Sequence, residues 1–240
     1  MDYQALESTK EKVNKLLKAT PVEQIEKINI SFDQVYAYDA LSFSGKNKIP
    51  YESVVKLLKT GDILQYNERE KKEILNHYVA FNFVKDMIKQ KTPLTEEKLK
   101  DIHEHLLDGV SPGGTYRNVN IVIPGASHQP PDHIKVYERM RKLFVMLNEM
   151  PDSIEKAVYA HAMVAKIHPF LDGNGRLSRL VLNYYLIKNY YLPISIPFTR
   201  RDEYLKHLEY FKTLKDIKPL EEFIANLLLD RYNNILINIE

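Results

Sequence analysis

Apolar residues in this chain recur mostly at three- and four-residue spacing, the period that lays them along one face of an α-helix. Leu6, Val13, Leu16 and Leu17 mark a first helix, and Thr20-Pro21 breaks the pattern and starts a second, carried on by Ile25 and Ile28. Phe32, Val35, Leu41 and Phe43 lead to Ser44-Gly45-Lys46-Asn47, which reads as a turn. A helix from Tyr51 carries Val54, Val55, Leu57 and Leu58 and stops near Gly61; a longer one from Glu68 to Lys89 carries Ile74, Tyr78, Phe81, Val84, Met87 and Ile88. Thr92-Pro93-Leu94-Thr95-Glu96-Glu97 has the proline and the acids of a helix start, and Leu99, Ile102, Leu106 and Leu107 follow it. Past Pro130-Pro131, helices are predicted from Val136, Met140, Leu143, Phe144 and Leu147, over residues 152–167, and over residues 177–190 until Leu192-Pro193. Phe223, Ile224, Leu227, Leu228 and Leu236 close the chain with more helix.

One stretch has a different period. Val119, Ile121 and Ile123 alternate with Asn120 and Val122, and Pro124-Gly125 supplies a turn, so a short β-hairpin is predicted there. The expected fold class is therefore all-α, mainly helical, with one short β-hairpin flap. Three regions are expected: an N-terminal helical region over 1–90, a core domain over 91–200, and a C-terminal helical segment over 201–240 packed on that core.

Composition narrows the function classes. A chain of 240 residues with 44% hydrophobic and 28% charged residues is an ordinary globular protein, and only 8 glycines agree with high helix content. A net charge of +2 argues against a nucleic-acid surface, and the absence of cysteine excludes thiol and disulfide chemistry. No apolar run is long enough to span a bilayer, and the acidic opening Met1-Asp2-Tyr3 does not resemble a signal peptide. The expectation is a cytoplasmic protein with neither membrane nor nucleic acid as partner. His103 and His105 differ by two and cannot share a helix face as metal ligands, so both are read as structural, and His161 as a core histidine.

The candidate chemistry is concentrated in His168-Pro169-Phe170-Leu171-Asp172-Gly173-Asn174-Gly175-Arg176-Leu177-Ser178-Arg179. Gly173 and Gly175 can take positive φ without a Cβ clash, so the chain between them can curl its N–H groups inward around an anion. Leu177, Leu180, Val181 and Tyr184 predict a helix just beyond, whose unpaired first N–H groups and dipole would add to that pull. Arg176 and Arg179, three apart on one face, suit phosphate oxygens between them. Asp172 is a hard oxygen ligand, and one carboxylate plus substrate phosphates is a usual way to hold Mg²⁺. His168 is a natural general base for a hydroxyl.

These residues match without a break the signature H-x-F-x-[D/E]-G-N-G-R-x-x-R, and on it the chain resembles the Fic family over about residues 70–210. The resemblance implies a mostly helical enzyme that transfers AMP from ATP to a Ser, Thr or Tyr hydroxyl of a target protein. It implies His168 as base, Asp172 holding Mg²⁺, and Asn174 with its neighbouring backbone on the α-phosphate. It also implies Arg176 and Arg179 on the β- and γ-phosphates, and a buried Phe170 anchoring the loop. Glycine at 175 separates the chain from the phosphorylating, Doc-like branch, which carries lysine there. Two other outcomes stay open: transfer of another nucleotide or phosphate-containing group, and a silent nucleotide-binding module.

Three further segments carry parts of the resemblance. Gly114-Thr115-Tyr116-Arg117 is similar to the family's G-x-[YF]-R ahead of its flap, so Val119, Asn120, Ile121, Val122 and Ile123 are expected to clamp an extended target segment, including one of the protein's own. Arg200-Arg201-Asp202-Glu203-Tyr204 resembles R-x-x-Y, which makes Tyr204 a candidate adenine contact. Further on, Lys212 or Thr213 stands where some relatives place an asparagine on adenine, which leaves base selectivity open. Ala40-Leu41-Ser42-Phe43-Ser44-Gly45 resembles the inhibitory motif [S/T]-x-x-x-E-[G/N], but Ser44 replaces the glutamate that pairs with the second signature arginine. Arg179 is therefore expected to be free.

Overall fold

In a computed structural model, which describes residues 3–43 and 48–239, the chain folds around a closely packed pair of helices joined by the loop at 168–173. Ten α-helices occur among the described residues: α1 (Tyr3–Ala19), α2 (Val22–Ser42), α3 (Tyr51–Thr60), α4 (Glu68–Lys89), α5 (Glu96–Leu107), α6 (Val136–Glu149), α7 (Ile154–Ile167), α8 (Asn174–Lys188), α9 (Arg201–Leu214) and α10 (Lys218–Ile239). Several start where a side chain can accept from an unpaired first-turn N–H. Asn67 accepts from Glu70 N, Thr95 from Lys98 N and Ser153 from Lys156 N. At the other end of α3, Gly61 takes φ 80° and closes the helix with its N–H on the Leu57 carbonyl.

α8 is the central element. Leu177, Leu180, Val181, Leu182, Tyr184, Tyr185 and Leu186 are all buried, and a helix apolar on nearly every side needs neighbours on every side. α7, α4 and α5 supply them, with α6 packed behind α7 and the α1–α10 pair closing the far side. Inside α8, Asn183 donates to the Ile194 carbonyl and accepts from the Ile194 N–H, both at 2.9 Å, and so ties the extended 192–197 segment to the helix. A second, smaller cluster of Ala37, Leu41, Val54, Leu57, Ile63 and Ile74 joins α2, α3 and α4. No helix among the described residues is long and apolar enough to cross a membrane.

Two expectations need correction. The helix predicted over 177–190 begins at Asn174, inside the signature, because Gly173 at φ 76° turns the chain directly into it. The β-hairpin predicted at 119–123 does not form: a turn closes at Ala126 N to Ile123 O, but no strand occurs among the described residues. Pro124, Pro130 and Pro131 remove ladder donors around the turn and on its returning limb. The two limbs are joined by a side chain, since Asn120 Oδ1 accepts from His133 N at 2.8 Å and its amide nitrogen lies 3.3 Å from Asp132.

Candidate active site

His168, Asp172, Gly173, Asn174, Gly175, Arg176 and Arg179 all line one cavity of about 580 Å³. Ala40, Leu41 and Phe43 from the end of α2, and Asn67, Arg69, Glu70 and Glu73 from the start of α4, complete its wall. The α4 group was not anticipated, because two acids and an arginine around a helix N-cap read as a solvated face.

Burial and hydrogen bonds set the loop. Phe170 is fully buried, as the resemblance implied, stacked on the His103 ring at 3.6 Å and edge-on to Tyr116 at 5.1 Å. The Asn174 side chain accepts from Phe170 N at 2.9 Å and donates to Phe170 O at 2.8 Å. Its amide therefore braces the loop, and what Asn174 presents to an anion is its backbone N–H. With Leu177 N the first to find a helical acceptor, Gly173 O, the N–H groups of Asn174, Gly175 and Arg176 are the open donors of α8. Only Gly173 is left-handed; Gly175 is helical.

Two braces come from outside the signature. His103 Nδ1 accepts from Gly114 N at 3.0 Å, so its proton sits on Nε2 and is donated to the Asp172 carbonyl at 2.9 Å. Arg117 Nε donates to the His168 carbonyl at 2.9 Å, Arg117 N to the Pro169 carbonyl at 2.9 Å, and its other nitrogens to Val119 and Pro131. The signal for Arg117 lay in the Gly114–Arg117 segment. The spacing to His105 marks His103 as structural, but nothing in the sequence shows that its structural partner is the Asp172 carbonyl.

The reactive groups are placed unequally. His168 ends α7 at φ 52°, a left-handed conformation unusual for a side-chain-bearing residue. Nδ1 lies 3.3 Å from the Ala165 carbonyl, so Nδ1 carries the proton and the Nε2 lone pair is available. Burial, with the Lys212 and Arg117 charges adding to it, lowers the imidazole to about 4 and keeps it neutral. Asp172 has a side chain 55% exposed, with Oδ1 accepting from Gly173 N at 2.6 Å and Arg176 Nη2 3.8 Å away. No cluster of three or more His, Asp or Glu able to hold a metal occurs among the described residues. A single exposed carboxylate fits a Mg²⁺ that arrives on phosphates and keeps most of its water.

Arg176 is largely buried, and its Nη1 has no partner among the described residues. The Arg179 guanidinium is not free: Nη2 donates to the Ala40 carbonyl at 3.0 Å, and the Phe43 ring covers it at 4.6 Å. The cause is local to α2: Phe43 N–H serves the Asp39 and Leu41 carbonyls, and the Ala40 carbonyl beside them, at the negative end of the helix dipole, takes the cation. Ser44, the degenerate inhibitory position, lies outside the described residues. Tyr204 does not line the cavity. It is buried, its hydroxyl is 3.0 Å from His161 Nε2, and its ring meets Phe43 edge-on. The 119–123 segment also lies off the cavity wall, with Val119 and Val122 exposed.

Residues 93–186 match the model of the Fic/DOC family. Over 163 residues the chain is 33% identical to proteins named Protein adenylyltransferase Fic from Drosophila persimilis and Drosophila grimshawi, a match that covers 65% of this chain. It covers 32% of the first and 33% of the second, so the chain spans about a third of the length of the curated relatives it matches. Among solved structures, a Fic domain containing signaling protein from Bacteroides thetaiotaomicron aligns with a TM-score of 0.84 at 22% identity, over 95% of this chain and 96% of that one. Fic-1 from C. elegans aligns at 0.80 and 21% identity, over 97% and 70%. These likenesses show the fold.

Proposed function

We propose that this chain, whose residues 93–186 match the Fic/DOC family model, transfers AMP from ATP to a hydroxyl side chain of a protein. The observation that carries this reading is the meeting, on one cavity wall, of a neutral His168, an exposed Asp172 and the open N-terminal N–H groups of α8. In the reaction the target's hydroxyl oxygen attacks the α-phosphorus while its proton passes to His168 Nε2. The bond to the β-phosphate oxygen breaks and pyrophosphate leaves. The N–H groups of Asn174, Gly175 and Arg176 would hold the phosphate chain, and Arg176 would take the charge that develops on the leaving group. Asp172 would hold Mg²⁺, which on binding supplies further neutralisation of that charge.

Arg179 enters this scheme from a held position. Its Nη2 donates to the Ala40 carbonyl, so a γ-phosphate would either share the guanidinium through its other N–H groups or displace that carbonyl with a stronger charge-assisted bond. The exposed backbone around Val119 and Val122 is where an extended target segment, from another protein or from this one, would lie.

The test uses ATP labelled on the α-phosphate, with Mg²⁺, the purified protein and a cell lysate. Label on a polypeptide with the wild type and none with His168→Ala is the expected result. Label transferred from γ-labelled ATP would mean phosphorylation instead. Bound nucleotide with no labelled polypeptide would overturn the reading. A parallel series with CTP, GTP and UTP settles the base, for which Lys212 offers no adenine-specific pairing.

A further inference from the structure

A second cavity, of about 700 Å³, lies between α2, α10 and the extended 194–197 segment, away from the phosphate-binding loop. Ile28, Val35, Leu227 and Ile235 make it apolar, and Arg231 projects onto its wall. Arg231 makes no hydrogen bond and no ion pair among the described residues. Its Nε is buried without a partner, and its guanidinium lies over the Phe32 ring at 3.7 Å. Asp33, whose charge reaches it, already binds Lys85 Nζ at 2.6 Å. A permanently charged group held largely out of water, with Nε buried and unpaired and no acid bonded to it, is a costly arrangement unless an anion is meant to complete it. Arg200, the other arginine on this wall, is neutralised by Glu203 and Asp230.

The wall also selects the anion. With Asp230 engaged by Arg200 and Lys27 out on the exposed rim, Asp39 and the apolar side chains are what Arg231 shares the wall with, a setting that suits a monoanion with an apolar body, one planar guanidinium matching one carboxylate, better than a phosphate dianion. We propose that this cavity binds a small organic monocarboxylate, with its carboxylate on Arg231 and its apolar body between α2 and α10. The site is independent of nucleotide chemistry, so it stands or falls apart from the transfer reaction.

The experiment titrates the full chain with octanoate and 3-phenylpropanoate, with their alcohols 1-octanol and 3-phenylpropan-1-ol, and with inorganic phosphate, read by calorimetry and by NMR of the isoleucine methyls. Two variants accompany it: Arg231→Met removes the charge and keeps the bulk, and Ser31→Trp obstructs the cavity from its exposed rim. Saturable binding of at least one carboxylate is expected, with its alcohol at least about tenfold weaker and each variant weakened about tenfold or more. The melting temperature of Arg231→Met should hold or rise, because an unpaired buried charge has been removed. No saturable binding of either carboxylate up to about 10 mM would overturn the proposal. So would equal affinity for acid and alcohol, phosphate binding as tightly as carboxylate, or unchanged affinity in Arg231→Met. A lower melting temperature in that variant would make Arg231 a structural cap on Phe32, and would also overturn it.

Discussion

The neutrality of His168 is imposed by its surroundings, and that gives its role a pH signature. Its base form is the neutral imidazole, and burial holds the pKa at about 4, below the usual 6.5. Transfer should therefore stay level from pH 7 down to about 5.5 and fall only as pH drops through about 4; a midpoint near 6.5 would mean a solvated ring. Replacing His168 by Ala should leave Mg²⁺·ATP binding intact by calorimetry and cut transfer roughly 10²–10⁴-fold. Gly173 sits at φ 76°, and a Cβ there would lie 3.2 Å from His103 Nε2. Gly173→Ala should thus cost roughly 1 kcal/mol or more in chemical denaturation and weaken transfer, since it strains the entrance to α8. At this scale the signature was legible, because its residues are contiguous and their chemistry is intrinsic. The committed side chain of Asn174 was not: an amide that could reach a phosphate also fits the Phe170 backbone four residues away, and only the loop conformation chooses.

Among the elements, α2 bears most on the site. Its final turn gives the Ala40 carbonyl to Arg179 and lays Phe43 over the guanidinium, so the helix end holds the group that the proposed γ-phosphate contact would use. Phe43→Ala should loosen that end and tighten ATP relative to AMP by roughly fivefold or more, measured as a ratio on the same variant so that general destabilisation cancels. An unchanged ratio would show that the cap yields freely to nucleotide. Both limits of sequence reading are visible here. The apolar run Phe32, Val35 and Leu41 announced the helix, but its Ala40 carbonyl found its cation 139 residues away. The flap failed for a related reason. Alternating side chains fit a strand, yet a ladder needs donors on both limbs, and Pro130 and Pro131 supply none.

For the molecule as a whole, one core runs from Leu6 to Ile235 and encloses several histidines in neutral form. Burial lowers His103 and His161 to about 4, and depresses His77 strongly, with Arg179 and Arg176 acting in the same direction. The unfolded chain, with these groups near 6.5, binds more protons between that value and the folded one, so stability is full above about pH 6.5 and declines as pH falls toward 4. Guanidinium unfolding at pH 7 and at pH 4.5 should differ by a few kcal/mol, the acidic sample being weaker. Equal stabilities would mean that these rings are solvated or paired. The sequence alone determined most of the helices, the loop proposed to grip an anion, the candidate base and the candidate metal-holding acid, because helix hydrogen bonds and signature chemistry span only a few residues. The tertiary structure alone decided that His103 and Arg117 brace the loop, that Arg179 is capped by α2, that Tyr204 faces the core, and that Arg231 lies beside a second cavity with its Nε unpaired among the described residues. Each of these depends on which distant segments meet, and periodicity says which face of a helix is covered without saying what covers it.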